Sequence, residues 1–177
     1  GAEPSPYMAL KRSRYCQRAA KGRPYRKKGI RMEFREEKRD LFSVPEDYYL
    51  AHCISADFAM GKGIAVEFNR RFDMKNKLKA HYPDYLNQWQ REKKRSGCIL
   101  AGRVFNLITK ERYFQKPTYE TLRGALECMK ALCVQKGVRR AAMPVIGCGL
   151  DRLAWEQVSA VIQDVFSDTG IEILVCI

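Results

Sequence analysis

The chain has 177 residues, of which 46% are hydrophobic. That is enough for one domain with a sizeable core and too apolar for a disordered chain. No apolar run approaches the roughly 20 residues that span a bilayer. The net charge of +13 is unevenly placed: residues 1–31 carry ten Lys or Arg against one acid, Glu3. The basic character therefore belongs mainly to an N-terminal arm. Such an arm suits weak nucleic-acid contact through phosphate neutralisation. The arm shows no helical period and no regular aromatic interleaving, which favours a solvated, flexible tail or an upstream segment, with Met32 as a natural first residue. The arm has charges but no apolar core segment, so no secretory leader is expected in it. Seven cysteines fall at 16, 53, 98, 128, 133, 148 and 176, none in C-x-x-C spacing, beside two histidines, His52 and His81. A zinc site is not expected. An odd cysteine count without a leader suggests reduced thiols in the cytoplasm, or the nucleus of a eukaryote.

The ordered domain is expected over residues 32–177. Residues 32–42 read as a poor strand ending at Asp40, Leu41 and Phe42. "YYLAHCIS", 48–55, is a better strand, rich in aromatic and apolar residues. It is followed by Gly61 and Gly63, and then by Ile64, Phe68 and Phe72, whose spacing of four places them on one helix face. Glu67, Arg70 and Arg71 fall on its wet face. Residues 73–96 are highly charged, with Pro83 in the middle. Leu78, Tyr82, Tyr85, Leu86 and Trp89 there suggest an amphipathic helix or lid over the core. "CILAGRVFNLIT", 98–109, reads as two short strands around a turn at Ala101–Gly102.

Pro117–Thr118 then opens a helix with Thr118 as N-cap, although Glu120 sits one residue short of the capping-box spacing. Leu122, Ala125, Met129, Leu132 and Cys133 continue it, and Gly137 ends it. "RRAAMPVI", 139–146, is the next strand, with Pro144 arguing for a strand end or irregular edge. "GCGLDRL" follows, in which Gly147 and Gly149 let the backbone approach something closely. Backbone amides here would sit at the positive end of the coming helix and suit an anion. The alternative is a simple tight turn, with Asp151 as helix N-cap. Trp155, Val158, Ile162, Val165 and Phe166 mark that helix, Gly170 stops it, and "IEILVCI" is a final strand. Strands alternating with helices imply a layered α/β fold on a largely parallel sheet, whose ligands bind at the carboxyl ends of the strands.

Neither glycine pair is a dinucleotide fingerprint, since position 66 is Val and position 152 is Arg. No G-x-x-x-x-G-K-[ST] or G-x-S-x-G is present, which argues against a P-loop NTPase and a serine hydrolase. Two phosphate-approaching turns without an NTPase motif suggest a diphosphate held between two loops.

"AHCISADFAMGKGIAVEF", "LITKERYFQKPTYETL" and "MPVIGCGLDRLAWEQVSAVIQDVF" together resemble the macrodomain family, most of all its terminal ADP-ribose protein glycohydrolase branch. The resemblance covers roughly residues 38–177. It implies a three-layer α/β/α fold with a mixed, largely parallel sheet and a cleft for ADP-ribose. It implies that Asp40 bonds the adenine amino group, with the Leu41 backbone beside it, and that Ser55 lies near the distal ribose. Met60, Gly61, Lys62, Gly63 and Ile64 match the first phosphate loop. Pro144, Val145, Ile146, Gly147, Cys148, Gly149 and Leu150 match the second. Lys110 matches the catalytic lysine of the branch and Asp151 its acidic partner. Val145 departs from the basic residue of the animal enzymes, and Cys176 lies where an aromatic can flank the adenine.

The activity so implied is removal of mono-ADP-ribose from a carboxylate (Glu or Asp) or a nucleobase through a transient lysine adduct, by a monomer that uses no cofactor, metal or membrane. The competing readings are an ADP-ribose reader without catalysis, which needs neither Lys110 nor Asp151, and a nucleic-acid-binding protein using the basic arm. His52 reads as a packed strand residue and His81 as a solvated one, and Cys148 is given no nucleophilic role.

Overall fold

The structure, a computed structural model, describes residues 7–9 and 31–177. Most of the basic arm and Cys16 lie outside the described residues. Seven strands are described: β1 (Tyr7–Ala9), β2 (Glu33–Glu37), β3 (Tyr49–Ser55), β4 (Gly97–Ala101), β5 (Val104–Lys110), β6 (Arg140–Met143) and β7 (Glu172–Cys176). They form one sheet in the order β1-β4-β5-β3-β6-β7-β2. The five strands from β5 to β2 are mutually parallel. The edge formed by β1, β4 and β5 is antiparallel, so the sheet is mixed. Three residues of the arm thus supply an edge strand that the sequence reading did not place.

The helices are α1 (Ile64–Phe72), α2 (Met74–His81), α3 (Tyr85–Arg91), α4 (Tyr119–Lys136) and α5 (Trp155–Phe166). Alternation along the strands sorts their side chains onto two faces. Ala51, Phe105, Leu107, Ala141 and Ile173 pack with α4 and α5. Leu50, Ile54, Val104, Ile108, Ala142 and Leu174 pack with α1, α2 and α3. The result is the expected three-layer α/β/α arrangement. The charged stretch 73–96 is two short helices around Pro83 rather than one, and its buried Leu78, Tyr85 and Trp89 make it part of a helical layer.

Local chemistry explains the main boundaries. Thr118 caps α4 by accepting from the Thr121 amide, and Thr121 returns the bond to the Thr118 amide. The capping box is therefore completed by Thr121, and the Glu120 mismatch has no consequence. Gly137, at φ 69°, closes α4 in the left-handed region. β6 stops at Met143, one residue before Pro144 and earlier than the strand read to residue 146. Proline has no amide proton to continue the ladder.

One buried polar pair ties the layers together. His52 and Asn106 are register partners on β3 and β5. Both are fully buried, and His52 Nε2 lies 2.7 Å from Asn106 Oδ1. Asn106 donates onward to the Ile99 carbonyl of β4 at 3.2 Å. The imidazole stacks on Phe68 of α1 with ring centroids 3.9 Å apart. Burial pulls the His52 pKa down to about 4, with the Asn106 bond opposing only partly.

The folded state therefore holds this imidazole neutral where the unfolded chain protonates it. Stability falls as pH drops from the unfolded value near 6.5 toward the folded value of about 4. On this account His52 removes about 2 kcal/mol between pH 7.5 and pH 5. Urea unfolding at the two pH values checks this, and His52→Gln should lose that part of the dependence.

Candidate active site

Because β5, β3 and β6 are adjacent and parallel, their carboxyl ends open on the same side of the sheet. β3 delivers Ser55, β5 delivers Lys110, and β6 runs into the loop from Pro144 to Ala154. The β3–β5 register shifts between Ile54 and Ser55, so that Ser55 faces Lys110 directly. The Ala56 amide donates to the Lys110 carbonyl at 2.9 Å.

Lys110 and Asp151, 41 residues apart in sequence, meet here: Lys110 Nζ donates to Asp151 Oδ1 at 2.8 Å. Their side chains are 15% and 18% exposed, so the pair is sheltered yet reachable. Beneath it Cys53 packs against the core. Burial, above all, pushes its thiol up; the Asp151 carboxylate adds to this and the Lys110 ammonium opposes it. Burial also raises the Cys148 thiol, which donates to the Ile146 carbonyl at 3.3 Å. Neither thiol is activated.

The two glycine loops differ. In the first, Met60 is buried and anchors the loop, while Gly61, Lys62 and Gly63 are exposed. Gly63 caps α1 with φ 62° and ψ −152°, a backbone that suits glycine, and no side chain claims the first amides of the helix. Ile64 begins the helix and packs against the core. This loop ends in a helix N-terminus without a side-chain cap, an arrangement suited to an anion. The second does not. Helix α5 begins at Trp155 with Ala154 as its cap, so Leu150 and Asp151 lie outside its first turn. Asp151 is consequently not the N-cap, and its carboxylate is committed to Lys110.

The second loop is held by other means. Ile146 is buried, Val145 and Cys148 pack on the core, and Pro144 is half-buried. Gly147, at φ 73°, turns the chain, and its carbonyl accepts from the Leu153 amide at 2.8 Å. Lys116 Nζ donates to the Leu150 carbonyl at 2.6 Å, although the Leu150 side chain is 60% exposed. A Cβ on Gly61, Gly63 or Gly149 would meet nothing within 4 Å. Those three positions therefore line open space.

At the far end of the same sheet side, Asp40 caps the short 3-10 turn Leu41–Ser43, accepting from the Phe42 amide at 3.0 Å. Leu41 is buried. Cys176 is the register partner of Glu37 at the end of β2, which places it beside this turn. β2 lies four strand spacings from β5 in the sheet, about 19 Å at roughly 4.8 Å each. Asp40 and Lys110 are thus opposite ends of one elongated strip, not one cluster.

The sequence reading assigned no role to Asp57 or Lys116. Asp57 gathers three donors: the Ser55 hydroxyl, the Ala59 amide at 3.1 Å and the Tyr113 amide at 3.0 Å. An aspartate two residues past a strand end is a common turn former, so only the partner at Tyr113 sets it apart. Among the described residues, no group of three or more His, Cys, Asp or Glu is placed to hold a metal ion. No helix among them is long and apolar enough to cross a membrane. Glu67 pairs with Arg70 and Arg71 on the outer face of α1, as their spacing suggests, and His81 is exposed.

No family model matches the chain. It is 48% identical over 143 residues to the ADP-ribose glycohydrolase OARD1 of Bos taurus, covering 78% of this chain and 87% of that protein. The Homo sapiens protein of the same name gives the same identity and coverage. Among solved structures, the macrodomain of Thermus aquaticus DarG superposes with a TM-score of 0.64 at 25% identity, covering 82% of this chain and 99% of that one.

The contrast between the glycines of the second loop is testable by thermal unfolding. Gly147→Ala places a Cβ at positive φ, 3.1 Å from Leu153 Cδ1, and should cost about 1–2 kcal/mol. Gly149→Ala meets open space and should leave stability unchanged within about 0.5 kcal/mol.

Proposed function

Since the chain belongs to the macrodomain family, in the branch of the terminal ADP-ribose glycohydrolases, we propose that it hydrolyses mono-ADP-ribose from an acidic side chain, with Lys110 and Asp151 performing the chemistry. The observation that carries this reading is the 2.8 Å contact between Lys110 and Asp151 beside two open glycine loops. A module that only bound ADP-ribose would need phosphate loops and a contact for the base. It would have no use for a sheltered amine and carboxylate at the ribose end of the strip.

ADP-ribose fits the strip in one direction. Asp40 and the turn after it take the adenine. The diphosphate lies between Met60–Ile64 and Ile146–Leu150, where the amides that open α1 and the Cβ-free glycines accept a close anion. The distal ribose then falls between Ser55 and Lys110. Binding energy from the remote adenosine holds the reacting carbon in place.

An ammonium has no lone pair, so Lys110 must lose a proton before it attacks. Asp151 is within hydrogen-bond reach to take it. The amine then forms a bond to C1″ as the bond from C1″ to the carboxylate oxygen of the modified residue breaks. That residue leaves as the acid by collecting the proton from Asp151, or as a carboxylate while Asp151 gives that proton up to solvent, and either way Asp151 is a carboxylate again. In the second step Asp151 removes a proton from water. The water oxygen bonds C1″, the C1″–Nζ bond breaks, and the amine regains a proton. One water is consumed, and ADP-ribose and the unmodified residue are released. A nucleobase nitrogen is an alternative leaving group at the same carbon. Modified protein or nucleic acid is therefore the proposed partner.

The deciding experiment measures ADP-ribose release from a glutamate ester, a nucleobase conjugate and an acetyl ester, by wild type and Lys110→Ala. The wild type should release from at least the glutamate ester. Lys110→Ala should lose release by 100-fold or more, on the order expected for a covalent nucleophile, while still binding ADP-ribose. Lys110→Arg should fail as well, because a guanidinium stays protonated. Gly149→Glu should fold but lose binding, since it puts a negative side chain into the phosphate space. Full turnover by Lys110→Ala would make the lysine a bystander and leave hydrolysis to a water held by the loops.

A further inference from the structure

Resting on the reading just given, we infer that Asp57 is the positioning residue that sets both the Ser55 hydroxyl and the segment after Lys110 for the reaction. Asp57 leaves β3 two residues after Ser55, in a turn closed by the Phe58 amide donating to the Ser55 carbonyl at 3.0 Å. Phe58 adopts φ 58°, unusual for a bulky side chain. The turn tolerates it because Phe58 is buried and its ring stacks on Tyr85 of α3 at 5.1 Å. The Asp57 carboxylate is thereby delivered to one place with little freedom.

From there it joins two strand ends. Oδ1 accepts from the Ser55 hydroxyl and from the Ala59 amide at 3.1 Å, which holds the approach to the first glycine loop. Oδ2 accepts from the Tyr113 amide at 3.0 Å, three residues beyond Lys110. Two backbone bonds run alongside, Ala56 amide to Lys110 carbonyl at 2.9 Å and Asp57 amide to Glu111 carbonyl at 3.2 Å. β5 ends at Lys110, and the backbone pairing with the segment after β3 stops at Glu111. The carboxylate extends the link by two residues, to Tyr113.

Two consequences follow for the chemistry. The hydrogen of the Ser55 hydroxyl is committed to Asp57 and Ser55 is 2% exposed, so all it can offer the distal ribose is a lone pair at the floor of the site. The Lys110 backbone is gripped on both sides, through Ser55 and through Tyr113, so its amine approaches C1″ along a fixed line. A displacement of about 1 Å in such an attack costs on the order of 100-fold in rate. Asp57 does not touch the reacting atoms itself.

The test uses Asp57→Asn, which keeps the shape and one acceptor but presents an amide to one of the two strand ends, with Ser55→Ala as the partner variant. The probes are ADP, which lacks the distal ribose, ADP-ribose, and the glutamate-ester substrate. For Asp57→Asn, kcat should fall tenfold or more. Its affinity for ADP should stay within twofold of wild type, and its thermal midpoint within a few degrees. Both variants should lower the preference for ADP-ribose over ADP by threefold or more. A kcat within threefold of wild type would overturn the assignment. So would an Asp57→Asn protein that unfolds or loses ADP binding, because Asp57 would then be a general structural residue. If the wild type releases no ADP-ribose at all, the parent reading falls by itself. The ADP-ribose to ADP preference then still decides the role of Asp57, an unchanged preference overturning it.

Discussion

The pairing of β3 with parallel neighbours on both sides governs the site. β5 lies on one flank and β6 on the other, and parallel ladders bring all three carboxyl ends to one rim. Had β5 run antiparallel to β3, Lys110 would sit at the opposite edge of the sheet from the glycine loops. The buried His52–Asn106 pair makes the β3–β5 alignment specific. A slip of either strand by one residue would send its polar side chain to the other face and leave the partner buried without its hydrogen bond. The shift between Ile54 and Ser55 then adjusts the last step, so that the serine and the lysine stand opposite each other.

On that rim the Lys110–Asp151 pair carries the electrostatic weight. Sheltered charges interact more strongly than exposed ones, and removing one partner leaves the other without compensation. The pair is therefore a structural tie for the second glycine loop as well as the proposed chemical machinery. Lys116 supports the same loop at the Leu150 carbonyl. Arg152, directly after the aspartate, adopts φ 60°, a conformation unfavourable for such a side chain. The loop is thus held in a shape its local sequence would not choose, by contacts from β5 and from the segment leading into α4.

Much of the fold was legible locally. The fourfold spacing of Ile64, Phe68 and Phe72 gave α1, the run from Thr118 to Gly137 gave α4, and the apolar strands stood out because both faces of the sheet are covered. The failures have local causes too. Pro144 ended β6 before the apolar pattern did. Thr121, a hydroxyl in place of the usual carboxylate or amide, completed the cap of α4. Tyr7–Ala9 carries too short a pattern to announce a strand, and pairing with β4 alone makes it one. In the site, Lys110 and Asp151 were legible through the company of their motifs. Asp57 was not, because a turn aspartate gives no sign of the amide it will meet 56 residues later.

What the sequence determined by itself is therefore periodic or covalently local: the alternation of strands and helices, the glycines, the caps, and the two segments that carry an amine and a carboxylate. Tertiary structure decided which of these meet. It set the strand order that brings Lys110 to Asp151, and it placed the first glycine loop at a helix N-terminus while denying one to the second. It also turned Asp57 into a link between two strand ends and gave His52 a depressed pKa. The physical reason is the same in each case. Periodicity and turn chemistry act within a few residues of chain, whereas hydrogen bonds, charge pairing and desolvation depend on distances in space that exist only once the sheet has closed its register.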